Sequence, residues 1–150
     1  MPSIKPQIFI YQEKSIDFSC IACSWLPASA KFSVLGTNAR DEGLLHVYLV
    51  APNALKLQQE IKLSNAARCC TMQFNDQSQA CSQIAIGARN GRLEFRDLGK
   101  AGEKFVDIKA HDNIINCIDS VGGRNGPCEI VTGSKDGLVK LWDPRYFWHQ

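Results

Sequence analysis

His111, Thr132 and Asp136 are the residue types of a base, a hydroxyl nucleophile and an orienting acid, and Cys117 offers an alternative nucleophile. Acyl transfer by such a set also needs donors aimed at an oxyanion. No Gly-rich elbow accompanies these residues, so catalysis is not the reading they favour. Cys20 and Cys23 have the Cys-x-x-Cys spacing of half a zinc site. Residues three apart in a regular strand point to opposite faces, however, and no second such pair supplies further ligands. Neither a metal, a cofactor nor a small-molecule substrate is expected.

The elements that carry these residues decide what they do instead. Residues 134–145 open on Asp136-Gly137, a hairpin signal in which glycine supplies the positive φ of a tight turn. Beyond it Leu138, Lys140 and Trp142 alternate with Val139, Leu141 and Asp143, the period of two of a strand. Before it Glu129, Ile130, Val131 and Thr132 read as the partner strand.

The hairpin recurs. Cys23, Cys70 and Cys117 stand 47 and 47 residues apart, whereas Gly43, Gly91 and Gly137, like Tyr48, Arg96 and Trp142, stand 48 and 46 apart. Extended segments at 32–37, 83–88 and 129–134 each end on Gly36, Gly87 or Gly133 plus a small residue. Cysteines locked to a repeat in this way are expected to behave as small buried hydrophobes. Fourth extended pieces lie between the units, at 55–62 and 103–109. Four short strands in a unit of roughly 45 residues are the pattern of a propeller blade. The expected fold is all-β, three four-stranded antiparallel blades of an incomplete propeller. The units fall near 7–50, 55–98 and 103–145, followed by a divergent tail at 146–150. A first strand is expected around residues 7–11, where it would close a full ring by pairing in the last blade. The last unit here lacks its outer strand, and there is no ring for it to close.

The third unit resembles a WD40 repeat: Ala110-His111 stands where that family has Gly-His, and Trp142-Asp143 closes the unit. The resemblance implies a hydrogen-bonded row of His111, Thr132, Asp136 and Trp142 inside the blade. Trp142 only donates, Thr132 and neutral His111 do both, and ionised Asp136 only accepts, so the row runs Trp142 to Thr132 to His111 to Asp136. The first two units depart from the pattern, ending Val47-Tyr48 and Arg96-Asp97. With Ile86, Asn90 and Arg96 at the matching places, the second unit is expected to rely on packing alone. The ending Trp142, Asp143, Pro144 and Arg145 also matches the short WDxR pattern of substrate receptors of cullin-type ubiquitin ligases. That alternative would put Arg145 at a partner interface.

Segments at 5–8, 29–32, 114–119 and 129–145 resemble the opening blades of WD-repeat axonemal dynein assembly factors. This resemblance implies a cytoplasmic, non-enzymatic adaptor that works with prefoldin-like co-chaperone subunits on dynein chains, with a link to apoptosis. Asp119 falls in one of these segments. Alternation from Cys117 places it on the packed face, equivalent to Trp25 and Met72, where a carboxylate must line the central channel or find a buried partner. Arg89 and Lys135 precede the hairpin turns, on loops where propellers bind partners. Closed propellers have about four to eight blades. Three units imply a truncated form with an open blade side and an exposed strand edge at 138–143.

Composition agrees with a protein-binding role. The 150 residues carry 17 basic and 15 acidic side chains, a net charge of +2, without the basic stripe that nucleic acid requires. No apolar run reaches the roughly 20 residues of a membrane helix. Residues 1–6 lack an apolar signal core, and seven cysteines, an odd number, fit reduced thiols in the cytoplasm.

Overall fold

The computed structural model describes residues 7–72, 82–122 and 129–149. Residues 1–6, the stretches at 73–81 and 123–128 inside the second and third units, and Gln150 lie outside the described residues. The alternating segments form three antiparallel meanders. The first comprises β1 (Ser19–Trp25), β2 (Lys31–Thr37), β3 (Gly43–Ala51) and β4 (Ala54–Lys62). The second comprises β5 (Ala67–Thr71), β6 (Gln83–Ala88), β7 (Arg92–Asp97) and β8 (Glu103–Lys109). The third comprises β9 (Ile115–Val121), β10 (Glu129–Ser134) and β11 (Val139–Trp142). Among the described residues the third sheet therefore has three strands, and the four-strand unit holds for the first two. The sheets also run out of step with the sequence units, because β4 and β8 pair with the strands that precede them.

Ladder register shows which landmarks are equivalent. Tyr48, Arg96 and Trp142 lie opposite Phe32, Ile84 and Ile130. Cys23 and Cys70 lie opposite Val34 and Ile86, but the matching residue of the third sheet is Ile118, opposite Thr132. Cys117 opposes Gly133, as Cys69 opposes Gly87. The even 47-residue spacing thus hides a slip of one residue, which reverses the face a side chain presents. Cys23 and Cys117 are exposed and Cys70 is half-buried, so the three do not form a set of core positions; among the described residues the buried thiol is Cys69.

The sheets pack face to face. Leu35, Leu45, Val47 and Ile61 of the first meet Met72, Ile84 and Ile86 at the second. Cys69, Ala85, Leu93 and Phe95 of the second meet Ile115 and Ile130 of the third. Phe18, Val34, Leu44 and Tyr48, with Ile16 against them, cover the outward side of the first sheet. The corresponding side of the third is open, with Val121, Val131, Val139 and Leu141 exposed. Residues 7–11 join none of the ladders, and Ile8, Phe9, Ile10 and Tyr11 are exposed. The first strand expected there is absent, because alternation alone makes no strand without a partner to complete its hydrogen bonds.

Two turns position the third sheet. Gly91 and Gly137 have φ of +78° and +84°, whereas in the first sheet Asp41, at +60°, takes the left-handed place and Gly43 begins β3. The Gly91 carbonyl accepts from the amides of Ala110 and His111 at 3.0 and 2.9 Å. That clasp ties the second hairpin to the strap on which His111 sits.

Candidate interaction surface and blade network

Thr132 and Trp142 share a face of the third sheet, turned toward the second. The Trp142 Nε1–H donates to Thr132 Oγ1 at 2.9 Å. His111 Nε2 lies 2.8 Å from the same oxygen, and His111 Nδ1 lies 2.9 Å from Asp136 Oδ2. Because Trp142 can only donate and ionised Asp136 can only accept, Thr132 directs its hydroxyl proton to Nε2 and His111 carries its own on Nδ1. His111 and Thr132 are 1% and 0% exposed, so the hydroxyl is enclosed by its two partners rather than presented to a cleft.

Asp136 also accepts from the amides of Asp112, at 3.1 Å, and Leu138, at 2.9 Å. Desolvation opposes its ionisation, but the hydrogen bonds from Leu138, His111 and Asp112 outweigh it and lower the carboxyl from 3.8 to about 2. A depressed folded value means stability that is present above about 3.8 and lost as pH falls through about 2. Asp136→Asn is therefore expected to flatten the stability curve between those two pH values relative to the unsubstituted chain. Urea titrations at stepped pH check this, and an unchanged slope would contradict it.

The equivalent places in the other sheets are polar as well. In the third sheet the Lys140 ammonium lies 6.0 Å from the Trp142 ring and donates to the Ala110 carbonyl at 2.6 Å. In the second, Glu94 and Arg96 take those two positions and form an ion pair at 2.9 Å, 2% and 7% exposed. Arg96 Nη1 also donates to the Gly102 carbonyl at 2.9 Å. In the first, His46 Nδ1 lies 3.0 Å from the Tyr48 hydroxyl. The second sheet accordingly does not rely on packing alone. Residues two apart on a strand share a face, so Arg96 carries its own counterion on β7. Strand alternation would have revealed Glu94; matching single positions to the third unit did not.

The candidate partner-binding residues fall in three places. Arg89, on the β6–β7 hairpin, pairs with Asp41 of the β2–β3 hairpin at 2.7 Å, a link between neighbouring turns that the sequence reading missed. Lys135 holds the matching place on the β10–β11 hairpin, where its amide donates to the Ile114 carbonyl at 2.9 Å. These hairpins join the same two strands of each sheet, so they share one end of the arc. Asp119 lies mid-strand on β9 opposite Val131, on the open side and not the packed one. The one-residue slip moves it from the place of Met72 to that of Thr71. It borders a shallow cleft with Val121, Glu129 and Leu141. Arg145 follows β11 at the opposite end, in the 3-10 helix Pro144–His149, its guanidinium bonded to the Asp143 carboxylate. Among the described residues no group of three or more His, Cys, Asp or Glu is placed to hold a metal, and no helix is long and apolar enough to cross a membrane.

Consecutive antiparallel meanders packed face to face, with a Trp-Thr-His-Asp row within the third, define an arc of a WD40-type β-propeller. Solved structures share the arrangement: the β-propeller domain of Cps50 (Swd1) from Myceliophteria thermophila superposes with a TM-score of 0.66 at 10% identity, over 87% of this chain and 40% of that one. The WD40 repeats of RRP9 give 0.67 at 12% identity, over 89% and 38%. In sequence the chain is similar to dynein axonemal assembly factor 10. It is 41% identical to that of Xenopus laevis over 147 residues, 38% to that of Homo sapiens over 144, and 35% to that of Chlamydomonas reinhardtii over 144. These matches take in 96%, 94% and 94% of this chain, which spans 40% of the length of each relative. No protein-family model matches the chain.

Proposed function

We propose that the chain is part of a non-enzymatic protein-interaction scaffold serving axonemal dynein assembly. The observation that carries this reading is the 41% identity with dynein axonemal assembly factor 10 over 147 residues. The enclosed Thr132 hydroxyl supports it, since a scaffold needs the row of His111, Thr132, Asp136 and Trp142 only to hold a blade. On this reading the protein is a cytoplasmic adaptor between prefoldin-like co-chaperone subunits and dynein chains, with an apoptotic link of the same origin. Arg89 and Lys135 on the hairpin rim and Asp119 on the open side supply charge for recognition. The Arg89–Asp41 pair is exposed and worth little in stability, so Arg89 can exchange Asp41 for a partner carboxylate at small cost.

Capture from extracts of ciliated cells tests the proposal, using this chain and one spanning the full length of the relatives. Dynein chains and co-chaperone subunits are expected with both, and more strongly with the longer chain, because a propeller face gathers loops from several blades. Charge reversal at Asp119, Arg89 or Lys135 is expected to weaken recovery several-fold while leaving the melting temperature in place. The ligase alternative expects Arg145→Ala to abolish capture of the cullin adaptor with dynein association intact. Recovery of ligase components without any dynein or co-chaperone subunit would overturn the first reading.

A further inference from the structure

Alternation along a regular strand would set Cys20 and Cys23 on opposite faces, but β1 is not regular. Its pairing with β2 runs Cys20 to Gly36 and then Ala22 to Leu35, so Ile21 is the extra residue of a β-bulge. Beyond the bulge Cys23 pairs with Val34. Gly36 and Val34 are two apart on β2, so Cys20 and Cys23 project from one face. Their Sγ atoms lie 3.5 Å apart, and both residues are exposed. Ala22 points the other way, into the core shared with the second sheet, which fixes the roll of the strand. A shallow groove lined by Cys23, Ser24, Trp25 and Phe32 opens beside the pair.

We propose that Cys20 and Cys23 are a redox-modifiable dithiol that closes to an intrastrand disulfide by exchange with a small disulfide such as oxidised glutathione. A disulfide is about 2.05 Å long, so the sulfurs need approach by only roughly 1.5 Å. In the first step one cysteine thiolate attacks glutathione disulfide, forming a mixed disulfide and releasing one glutathione thiolate. In the second, the other cysteine thiolate attacks the protein sulfur of that mixed disulfide and releases the second. The two thiol protons end on the two glutathiones; the protein pair is oxidised by two electrons and glutathione disulfide is reduced by two. Desolvation, then the hydrogen bond and charge of Cys20, lift the Cys23 thiol to about 11. That suits Cys23 to the intramolecular step, where proximity compensates for a scarce thiolate. Desolvation also pushes Cys69 and Cys70 up to about 12, so neither competes as a nucleophile.

The test equilibrates the folded 150-residue chain with glutathione buffers of graded composition, followed by acid quenching, alkylation and tryptic digestion. Residues 15–31 form one tryptic peptide that holds Cys20 and Cys23 and no other cysteine. That peptide is expected to lose two hydrogens and escape alkylation at an oxidised-to-reduced ratio about tenfold below the one that modifies Cys117. Cys20→Ser and Cys23→Ser chains are each expected to carry a single glutathione on the remaining thiol. In urea, where the bulge is gone, the pair is expected to need a several-fold higher ratio. Two independent glutathione adducts on the peptide of the folded chain, cross-links from it to Cys69, Cys70 or Cys117, or equal closure in urea would each overturn the proposal.

Discussion

Arg96→Ala is expected to destabilise the chain by about 3–5 kcal/mol, the cost of leaving a buried charge without its partner. Glu94 is 2% exposed, and its Oε2 has no hydrogen-bond partner among the described residues. Removing Arg96 takes the donor from its other oxygen and from the Gly102 carbonyl as well. The paired replacement Glu94→Leu with Arg96→Met is expected to recover most of that loss, because it removes both desolvation costs and fills a similar volume beside Ile84 and Ile86. Guanidinium unfolding curves separate the cases: the midpoint of the single variant drops while that of the double variant returns, with slopes unchanged. A single variant within about 1 kcal/mol of the unsubstituted chain would mean that Glu94 finds water or another donor at little cost, and the pair would not be a structural element of the second sheet.

Which parts were legible depends on how far each inference had to reach along the chain. Trp142, Arg96 and Tyr48 proved equivalent because they sit on the third strand of each sheet, close to a hairpin that sets their phase. The row in the third sheet was legible from the resemblance of that unit to a WD40 repeat. Donor chemistry then set its direction, since with a neutral imidazole only one direction of donation satisfies all four groups. The cysteines misled in two ways. An irregular pairing between Cys20 and Ala22 turns Cys20 and Cys23 to one face, and the even spacing of Cys23, Cys70 and Cys117 conceals that Cys117 is one residue out of register. Nothing in the side chain of Ile21 marks it as a bulge, yet every face assignment on the far side of it changes. Asp119 was assigned to the packed side for a different reason: alternation from Cys117 holds along β9, but Cys117 is itself one residue out of step with Cys23 and Cys70. Residues 7–11 misled in another way: their composition suits a strand, but pairing is a property of the whole assembly and not of the segment.

Trp142→Phe is expected to destabilise the third sheet by about 1–3 kcal/mol although the aromatic packing survives. The ring rests against the core around Ile115 and Ile130, and Phe preserves most of that contact. Lys140 keeps an aromatic face to lie over, so its cation–π contact is weakened more than lost. What disappears is the indole N–H that Thr132 Oγ1 accepts at 2.9 Å. Thr132 is 0% exposed, so no water replaces that donor from the surface. His111→Ala breaks the same chain from the other side, leaving the Thr132 hydroxyl to the Lys140 carbonyl, 3.5 Å away, and Asp136 to its two backbone donors. Because both substitutions disconnect the same oxygen, the second is expected to cost less once the first is made. A double-mutant cycle in thermal and urea unfolding should therefore show a coupling of at least about 0.5 kcal/mol. Simple additivity would mean that Trp142 and His111 act through packing alone. The Trp-Thr-His-Asp row would then be a geometric coincidence of the blade and not what holds β10 and β11 to the His111 strap.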